Sequence, residues 1–260
     1  MPRGVDPYDE ARIQGRLWTP DYQPFTEGCW DLHDLSTVTV ATGISQIFDK
    51  SGKGRHMVQP TSGIQMALVG GPGGIGFGAQ STGTQYLYAT TPSGSYNVST
   101  SMAECIVYQR NAGSSGAVTD MRNTGNGTPL IDDNGSIGFG ARRRNDAGTI
   151  VSTTGQTGDN NWNISTIAHD GATIYSRKNG GNTLSTNSSG TMSGINRITM
   201  NGNGFTLGGS LCNVTIASII VVSDFTAMEK LEGHLAWKWQ LFDNLSSSHR
   251  FKNRPPLIGD

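Results

Sequence analysis

Short runs in which hydrophobic and polar residues alternate follow one another along most of the chain, and glycine-rich turns separate them. Alternation with a period of two predicts β-strands that bury one face. Asp170-Gly171, between two such runs, is the strongest hairpin signal because this dipeptide suits a tight turn. The runs expected to form strands are Thr37–Ala41, Ser45–Phe48, Gln65–Val69, Gln85–Ala89, Ala103–Gln109, Ala117–Met121, Ser136–Ala141, Thr149–Thr153, Asn163–His169, Ala172–Lys178, Gly194–Met200 and Val214–Val222.

Near the C-terminus the spacing of apolar residues changes to steps of three and four, which is typical of an amphipathic helix. Thr226 and Glu229 have the spacing of a capping box, so we expect the helix to begin there. Its apolar stripe, which should pack on the strands, consists of Met228, Leu231, Leu235, Trp239 and Phe242.

Many short strands and one clear helix predict an all-β fold, with two antiparallel sheets packed as a sandwich and one C-terminal helix. We divide the chain into an extended N-terminal arm (1–24), the sandwich (25–225), and a C-terminal helix and tail packed on it (226–260). The residues expected in the core are Trp30, Phe48, Ile106, Tyr108, Ile167, Ile174, Ile219, Val221, Leu235 and Trp239.

The N-terminal arm contains four prolines, a density that excludes a long helix or a central strand. Its aromatic residues Tyr8, Trp18 and Tyr22 cannot be buried by the arm alone, so the arm either wraps its own domain or docks into a neighbouring subunit. For the first dozen or so residues a frayed terminus is the alternative. We expect these three aromatics to mediate assembly, and removal of the arm to leave a folded domain.

The chain has 260 residues and a formal net charge of -1. This charge removes the attraction that dominates binding to phosphate backbones, so we expect no nucleic-acid partner. The apolar runs are too short for a membrane span, and the N-terminus lacks the layout of a secretion signal, so we expect no membrane partner and synthesis in a cytoplasm. Three widely separated cysteines suit neither a disulfide framework nor a metal clip, and we expect all three to be buried.

Carboxylate chemistry is sparse. Glycosidases need two carboxylates a fixed distance apart, and sandwich-fold glycosidases of the laminarinase kind carry E-x-D-x-x-E along one strand. Of five glutamates only Glu104 falls within a predicted strand, and Cys105-Ile106-Val107-Tyr108 follows it. We therefore expect no enzymatic activity, with an acid–base pair built from distant aspartates as the alternative.

Two groups of residues are candidates for contact with a glycan. Partly exposed aromatic rings stack on sugars, although alternating aromatics are also ordinary core residues. The candidate rings are Tyr86, Tyr88 and Trp162. The run Arg142, Arg143 and Arg144 could contact an acidic sugar or a neighbouring subunit, but a charged sheet edge that prevents aggregation is the favoured interpretation.

Asp49 and Ser51 are the candidate metal ligands, because their oxygens lie in a turn-forming segment that could wrap a calcium ion. One carboxylate is too few for tight binding, and Lys50 and Lys53 oppose a cation. An Asx-type turn that fixes the loop is therefore favoured. We expect no cofactor, and calcium is the one candidate.

Three separated segments resemble one family. Ile44–His56, ISQIFDKSGKGRH, resembles the "W-x-D-K-S-G-N-G-x-H" segment of concanavalin A-like (laminin G-like) jelly-roll domains of bacteriophages. Cys29–Asp34 with Ser36-Thr37-Val38 resembles that family's opening "LWLDA-x-D-x-S-T-I" strand. Leu231–Pro256 is similar to its terminal "EGYLAWKWGL…LP-x-x-H-P-Y-K-N-x-P-P" signature. The chain departs from these patterns at Phe48, Lys53 and Arg250, which replace Trp, Asn and Pro.

This resemblance implies a two-sheet jelly roll sealed by a C-terminal helix, in a head spike, tail fibre or decoration protein of a phage or phage-like particle. Such domains often engage surface glycans. We therefore expect a homo-oligomeric structural protein on the virion surface that attaches to host surface polysaccharide and contacts other virion subunits through residues 1–24. The alternatives are a decoration protein without a ligand and, third, a polysaccharide depolymerase.

Overall fold

The computed structural model describes residues 7–91, 94–111, 115–123, 128–134, 139–156, 158–202, 209 and 211–260. Within these residues the helices are α1 (Pro7–Ile13) and α2 (Met228–Lys238). The strands are β1 (Thr26–Asp31), β2 (Val38–Val40), β3 (Ile44–Ile47), β4 (Met57–Val58), β5 (Ala67–Gly70), β6 (Phe77–Thr82), β7 (Leu87–Thr90), β8 (Met102–Arg110), β9 (Ser115–Arg122), β10 (Thr128–Asn134), β11 (Phe139–Arg144), β12 (Ile150–Gln156), β13 (Trp162–His169), β14 (Thr173–Lys178), β15 (Leu184–Asn187), β16 (Arg197–Met200) and β17 (Asn213–Val222).

The strands of the described residues form two antiparallel sheets. Sheet I has eight strands in the order β15-β14-β13-β8-β17-β6-β5, and β1 pairs with the remaining part of β17. Sheet II has nine strands in the order β12-β11-β10-β9-β16-β7-β4-β3-β2. This architecture confirms the predicted all-β, two-sheet antiparallel jelly-roll sandwich. The predicted Asp170-Gly171 hairpin is also confirmed, since the Asp170 carboxylate accepts from the Thr173 backbone N–H at the turn between β13 and β14.

The main core lies between the sheets, and β17 shows how the sequence builds it. Val214 and Ile216, at even-numbered positions, face sheet II. Further along the same strand the inward residues are Ile219 and Val221, at odd-numbered positions. The change of phase follows from a bulge between Ile216 and Ser218 in the pairing with β8. Both faces of this strand are buried, which explains its continuous apolar sequence.

Helix α2 covers the outer face of sheet I and forms a second core. Leu231, Leu235 and Trp239 of the predicted stripe are fully buried there, and Met228 and Phe242 pack against them. The helix does not begin with the predicted capping box. Asp224 instead accepts from the Thr226 backbone N–H and caps a 3-10 turn, Phe225–Ala227, that leads into α2.

The C-terminal tail clamps α2 to the sandwich. Glu232 Oε2 lies 3.1 Å from His249 Nε2 and 3.3 Å from an Arg177 nitrogen, all in a buried setting. The Trp237 indole N–H donates to the Phe251 carbonyl at 2.8 Å. The terminal segment Leu231–Pro256 therefore has a structural role, because the side chains of Glu232, Trp237 and His249 connect α2 to the tail.

The described part of the N-terminal arm wraps its own domain. Leu17 pairs with Leu257, the Trp18 N–H donates to the Pro256 carbonyl, and both side chains are buried. Trp18 belongs to the core beneath α2, so it is not available to dock into a neighbouring subunit as predicted. Tyr8 is half-buried on the short helix α1, and the side chain of Tyr22 lies outside the described residues.

The burial of the predicted core residues and of the cysteines agrees with the sequence, with one exception. Nine of the ten expected core residues are buried, but Phe48 is 40% exposed and packs its ring edge-on against His56 at 4.8 Å. The three cysteines are free and buried, as expected. No helix in the described part of the chain is long and apolar enough to cross a membrane.

Candidate functional site

A cavity of about 660 Å³ lies between the N-terminal arm, the end of β1 and the C-terminal end of α2. This volume lies within the range of about 300–1,000 Å³ that is usual for small-molecule sites. The cavity is lined by Tyr8, Arg12, Leu17, Thr19, Asp21, Asp31, His33, Asp34, Lys50, Ile75, His234, Trp237, Lys238 and Gln240.

An ion pair between Asp31 and Lys238 forms the floor of the cavity. Asp31 is the last residue of β1 and is only 2% exposed, and Lys238 is the last residue of α2. The Lys238 ammonium lies 2.6 Å from Asp31 Oδ2. Burial favours the neutral acid, but the nearby ammonium prevails and holds the pKa of Asp31 below its usual value. Burial opposes the charge of Lys238, but attraction to the Asp31 carboxylate outweighs this effect, so the pKa of Lys238 is raised.

Lys50 lies among three carboxylates at the mouth of the cavity. Its ammonium is 3.4 Å from Asp31, 3.6 Å from Asp21 and 3.7 Å from Asp34. The Lys50 backbone N–H donates to the Cys29 carbonyl at 2.8 Å, which fixes the lysine beside β1. Burial opposes its charge, yet the surrounding carboxylates leave the pKa of Lys50 raised.

The aromatic and imidazole groups of the cavity are uncharged near neutral pH. Burial lowers the pKa of His234 to about 3, and burial also lowers that of His33. Burial raises the pKa of Tyr8 to about 12. The Tyr8 ring lies 6.0 Å from the His234 ring, and the His33 ring meets Trp239 edge-on at 5.3 Å.

His234 also presents an unused hydrogen-bonding atom. It is 2% exposed, and one ring nitrogen bonds to the Trp18 backbone. Within the described residues its Nδ1 atom has no hydrogen-bond partner. A buried acceptor without a partner is costly, and a ligand hydroxyl in the cavity could satisfy it.

The cavity thus combines three carboxylates, three cationic groups, two neutral imidazoles and a phenol in one concave site. Such a surface offers many closely spaced hydrogen-bond donors and acceptors together with aromatic faces. This chemistry matches a polyhydroxylated ligand, whose hydroxyls both donate and accept.

The structure does not bring the predicted aromatic residues together. Tyr86 and Tyr88 are partly exposed, with ring centroids 6.4 Å apart. Tyr88 alternates with the core residues Leu87 and Ala89, so it faces outward from sheet II. Trp162 packs against the core beneath α2, on the outer side of sheet I. The two tyrosines and the tryptophan therefore lie on opposite faces of the sandwich.

The arginine run alternates between the two faces of β11. Arg142 and Arg144 are exposed, whereas Arg143 is fully buried and donates to the carbonyls of Ser188 and Gly190. Its burial corrects the prediction that it contacts a glycan. The favoured interpretation of a charged edge is also wrong, because β11 pairs with β10 on one side and β12 on the other.

The loop that carries Asp49 and Ser51 is closed by hydrogen bonds. Asp49 accepts from the backbone N–H groups of Cys29 at 3.0 Å, Ser51 at 2.9 Å and Arg55 at 3.1 Å. The Ser51 hydroxyl donates to Asp49 Oδ2 at 2.7 Å, the oxygen that also accepts from the Arg55 N–H. Because the Asp49 carboxylate accepts from the Ser51 backbone N–H two residues on, the pair makes the favoured Asx-type turn. The described residues contain no cluster of His, Cys, Asp or Glu suited to a metal.

The residues of the cavity were not among the predicted site residues, although one signal in the sequence pointed to them. The three segments that carry the family resemblance converge there. Segment Cys29–Asp34 contributes Asp31, His33 and Asp34, segment Ile44–His56 contributes Lys50, and segment Leu231–Pro256 contributes Lys238. Residues far apart in sequence gain a shared role only once the fold has placed β1, the loop after β3 and the end of α2 together.

No family model matches the chain, and no curated protein matches it in sequence. Solved structures share its fold. The binding domain of Paraclostridial Mosquitocidal Protein 1 is 10% identical, with a TM-score of 0.56 over 79% of this chain and 50% of that one. The binding domain of Botulinum Neurotoxin DC in complex with SialylT is 11% identical, with a TM-score of 0.56 over 79% and 49%.

A third similar structure, the botulinum neurotoxin serotype C1 binding domain, is 12% identical, with a TM-score of 0.53 over 79% of this chain and 50% of that one. The present chain thus spans about half the length of these structures. At such low identity the similarity shows a common β-sandwich fold.

Proposed function

We propose that the chain is a glycan-binding jelly-roll domain of a virion surface protein, which attaches the particle to host surface polysaccharide without catalysis. The observation that carries the proposal is the cavity of about 660 Å³ with its mixed lining of carboxylates, ammonium groups and aromatic rings. The family resemblance of the three converging segments supports the virion location. The shared fold with binding domains supports a binding role.

The chemistry of sugars explains why this lining suits them. Each hydroxyl can donate to a carboxylate and accept from an ammonium group, and Asp34 and Lys50 present such a pair 3.7 Å apart at the mouth. Charge-assisted hydrogen bonds of this kind are stronger than neutral ones. The exposed pair Tyr86 and Tyr88 on sheet II is a second candidate surface, where an extended polysaccharide could stack.

A substitution that fills the cavity tests the proposal. Ile75 lines the cavity and directly follows the 3-10 turn Pro72–Gly74, which comes after β5. Ile75→Trp should therefore occupy the ligand's space while leaving every charged group in place. Ile150→Trp is the matched control because Ile150 is 58% exposed and does not line the cavity. We expect Ile75→Trp to reduce binding to purified host polysaccharide at least about tenfold, and Ile150→Trp to leave it unchanged.

Circular dichroism and thermal unfolding of both variants establish that each remains folded. Equal binding by a folded Ile75→Trp variant and the unsubstituted protein would refute the cavity as the site. A Tyr88→Ala variant would then show whether the outer face of sheet II binds the polysaccharide instead. Absence of binding by the unsubstituted protein to every host polysaccharide would refute glycan binding itself.

A further inference from the structure

We propose that the cavity accepts an uncharged sugar residue and discriminates against sugars that carry a carboxylate. This inference rests on the proposed glycan binding and specifies the class of ligand. It follows from how the cavity's own charges are already paired.

Two of the three cations that line the cavity, the ammonium groups of Lys238 and Lys50, are compensated by carboxylates. The third, Arg12, is exposed, where solvent and salt screen its charge. Lys238 is paired with Asp31 at 2.6 Å in a buried position. Lys50 is within 4 Å of three carboxylates, those of Asp21, Asp31 and Asp34. Neither ammonium group therefore presents a net positive field to an incoming anion, and both imidazoles have lowered pKa values that keep them neutral near pH 7.

The exposed carboxylate of the mouth would repel an acidic sugar. The Asp34 side chain is 42% exposed, and Asp34 Oδ1 accepts from the backbone N–H and hydroxyl of Ser36. Its other oxygen lies 3.7 Å from Lys50, which is longer than a hydrogen bond and leaves that oxygen able to accept from a ligand hydroxyl. An acidic sugar that approaches Lys50 must place its carboxylate beside Asp34 and Asp21, at a distance where like charges weaken binding about tenfold.

Deeper in the cavity the polar groups also suit hydroxyls. The Nδ1 atom of His234 is a buried acceptor without a partner in the described residues, and the Tyr8 phenol keeps its proton because burial raises its pKa to about 12. One acceptor and one hydroxyl match a donor–acceptor ligand group. Neither offers the positive charge that a sugar carboxylate requires.

The test compares neutral oligosaccharides with the same oligosaccharides extended by a uronic or sialic acid, using calorimetry at pH 7 and constant salt. We expect the neutral member of each pair to bind about tenfold more tightly. Asp34→Asn should raise the affinity for the acidic member about tenfold, because it removes one repelling charge and keeps the Oδ1 acceptor for Ser36.

Asp224→Asn is the matched control. Asp224 makes the same local bonds, since its Oδ1 accepts from the backbone N–H and hydroxyl of Thr226, but it precedes α2 and does not line the cavity. This variant should change neither affinity. Tighter binding of the acidic sugars by the unsubstituted protein, or no gain for them in Asp34→Asn, would overturn the inference while glycan binding stands. Failure of neutral and acidic sugars alike to bind would overturn both.

Discussion

Glu104 is a buried acid whose ionisation should control the stability of the sandwich. It lies on β8, opposite Val221 of β17, and its side chain is fully buried between the sheets. The pKa of Glu104 is raised from 4.5 to about 8, chiefly by burial; the Thr119 hydroxyl offsets part of this effect, and the negative charge of Asp120 adds to it.

The sign of the resulting pH dependence follows from linkage. The folded protein holds the Glu104 proton up to about pH 8, whereas the unfolded chain releases it near pH 4.5. The stability that protonated Glu104 allows is therefore fully present below about pH 4.5, and it is lost as the pH rises from there through about 8. At roughly 1.4 kcal/mol for each pH unit, the loss amounts to about 5 kcal/mol across this window.

The perturbation that isolates this effect is Glu104→Gln, which keeps the shape of the side chain and cannot ionise. Urea unfolding of both proteins at intervals from about pH 4.5 to 8.5 gives the difference in unfolding free energy at each pH. We expect the difference to move in favour of the variant by about 5 kcal/mol over that interval. The buried imidazoles His169 and His234 are present in both proteins, so their contributions cancel.

Glu10→Gln provides the control, because Glu10 is exposed on α1 and its substitution makes the same chemical change outside the core. A Glu104→Gln difference that stays constant from pH 4.5 to 8.5 would refute the reasoning. It would mean that Glu104 ionises in the folded protein as readily as in the unfolded chain.

Two further predictions concern packing. Trp239 is fully buried against Gly71 and Gly76 of the turn after β5, so Trp239→Ala should lower the free energy of unfolding by roughly 3–5 kcal/mol in urea titrations. A loss below about 1 kcal/mol would contradict its burial. Deletion of residues 1–24 removes Trp18 from the core beneath α2 and also removes the buried Leu17, and we expect a loss of at least about 3 kcal/mol in the free energy of unfolding or failure to fold. A truncated protein as stable as the full chain would show that the arm is dispensable for the fold.

Much of the fold could be predicted because local periodicity reports burial directly. The alternating runs on either side of Asp170-Gly171 become β13 and β14, and the stripe that includes Leu231 and Leu235 becomes the buried face of α2. In each case the residues that are close in sequence also share one face of one element.

The remaining differences arise where the answer depends on contacts between distant segments. Phe48 follows a strand and has the hydrophobicity of a core residue, but the turn built on Asp49 places its ring at the surface. Arg143 alternates inward, where the carbonyls of Ser188 and Gly190 accept from it. Periodicity identifies the inward position but not the partners that make a buried arginine tolerable.

The candidate site could not be predicted for the same reason. Its charged residues come from the arm, β1, the loop after β3 and α2, and only the fold brings Asp31 within 2.6 Å of Lys238. Taken separately, Asp31, Lys50 and Lys238 are ordinary polar residues of strand ends and a helix terminus. Their resemblance to a family pattern indicated importance, while the geometry supplies the chemistry.

The central claim, attachment to a glycan through the cavity, is tested most directly by adsorption of the purified protein to host cells with and without their surface polysaccharide. We expect the unsubstituted protein and the Ile150→Trp variant to adsorb, the Ile75→Trp variant not to adsorb, and removal of the polysaccharide to abolish adsorption. Equal adsorption to intact and stripped cells, or no adsorption to intact cells, would contradict this claim.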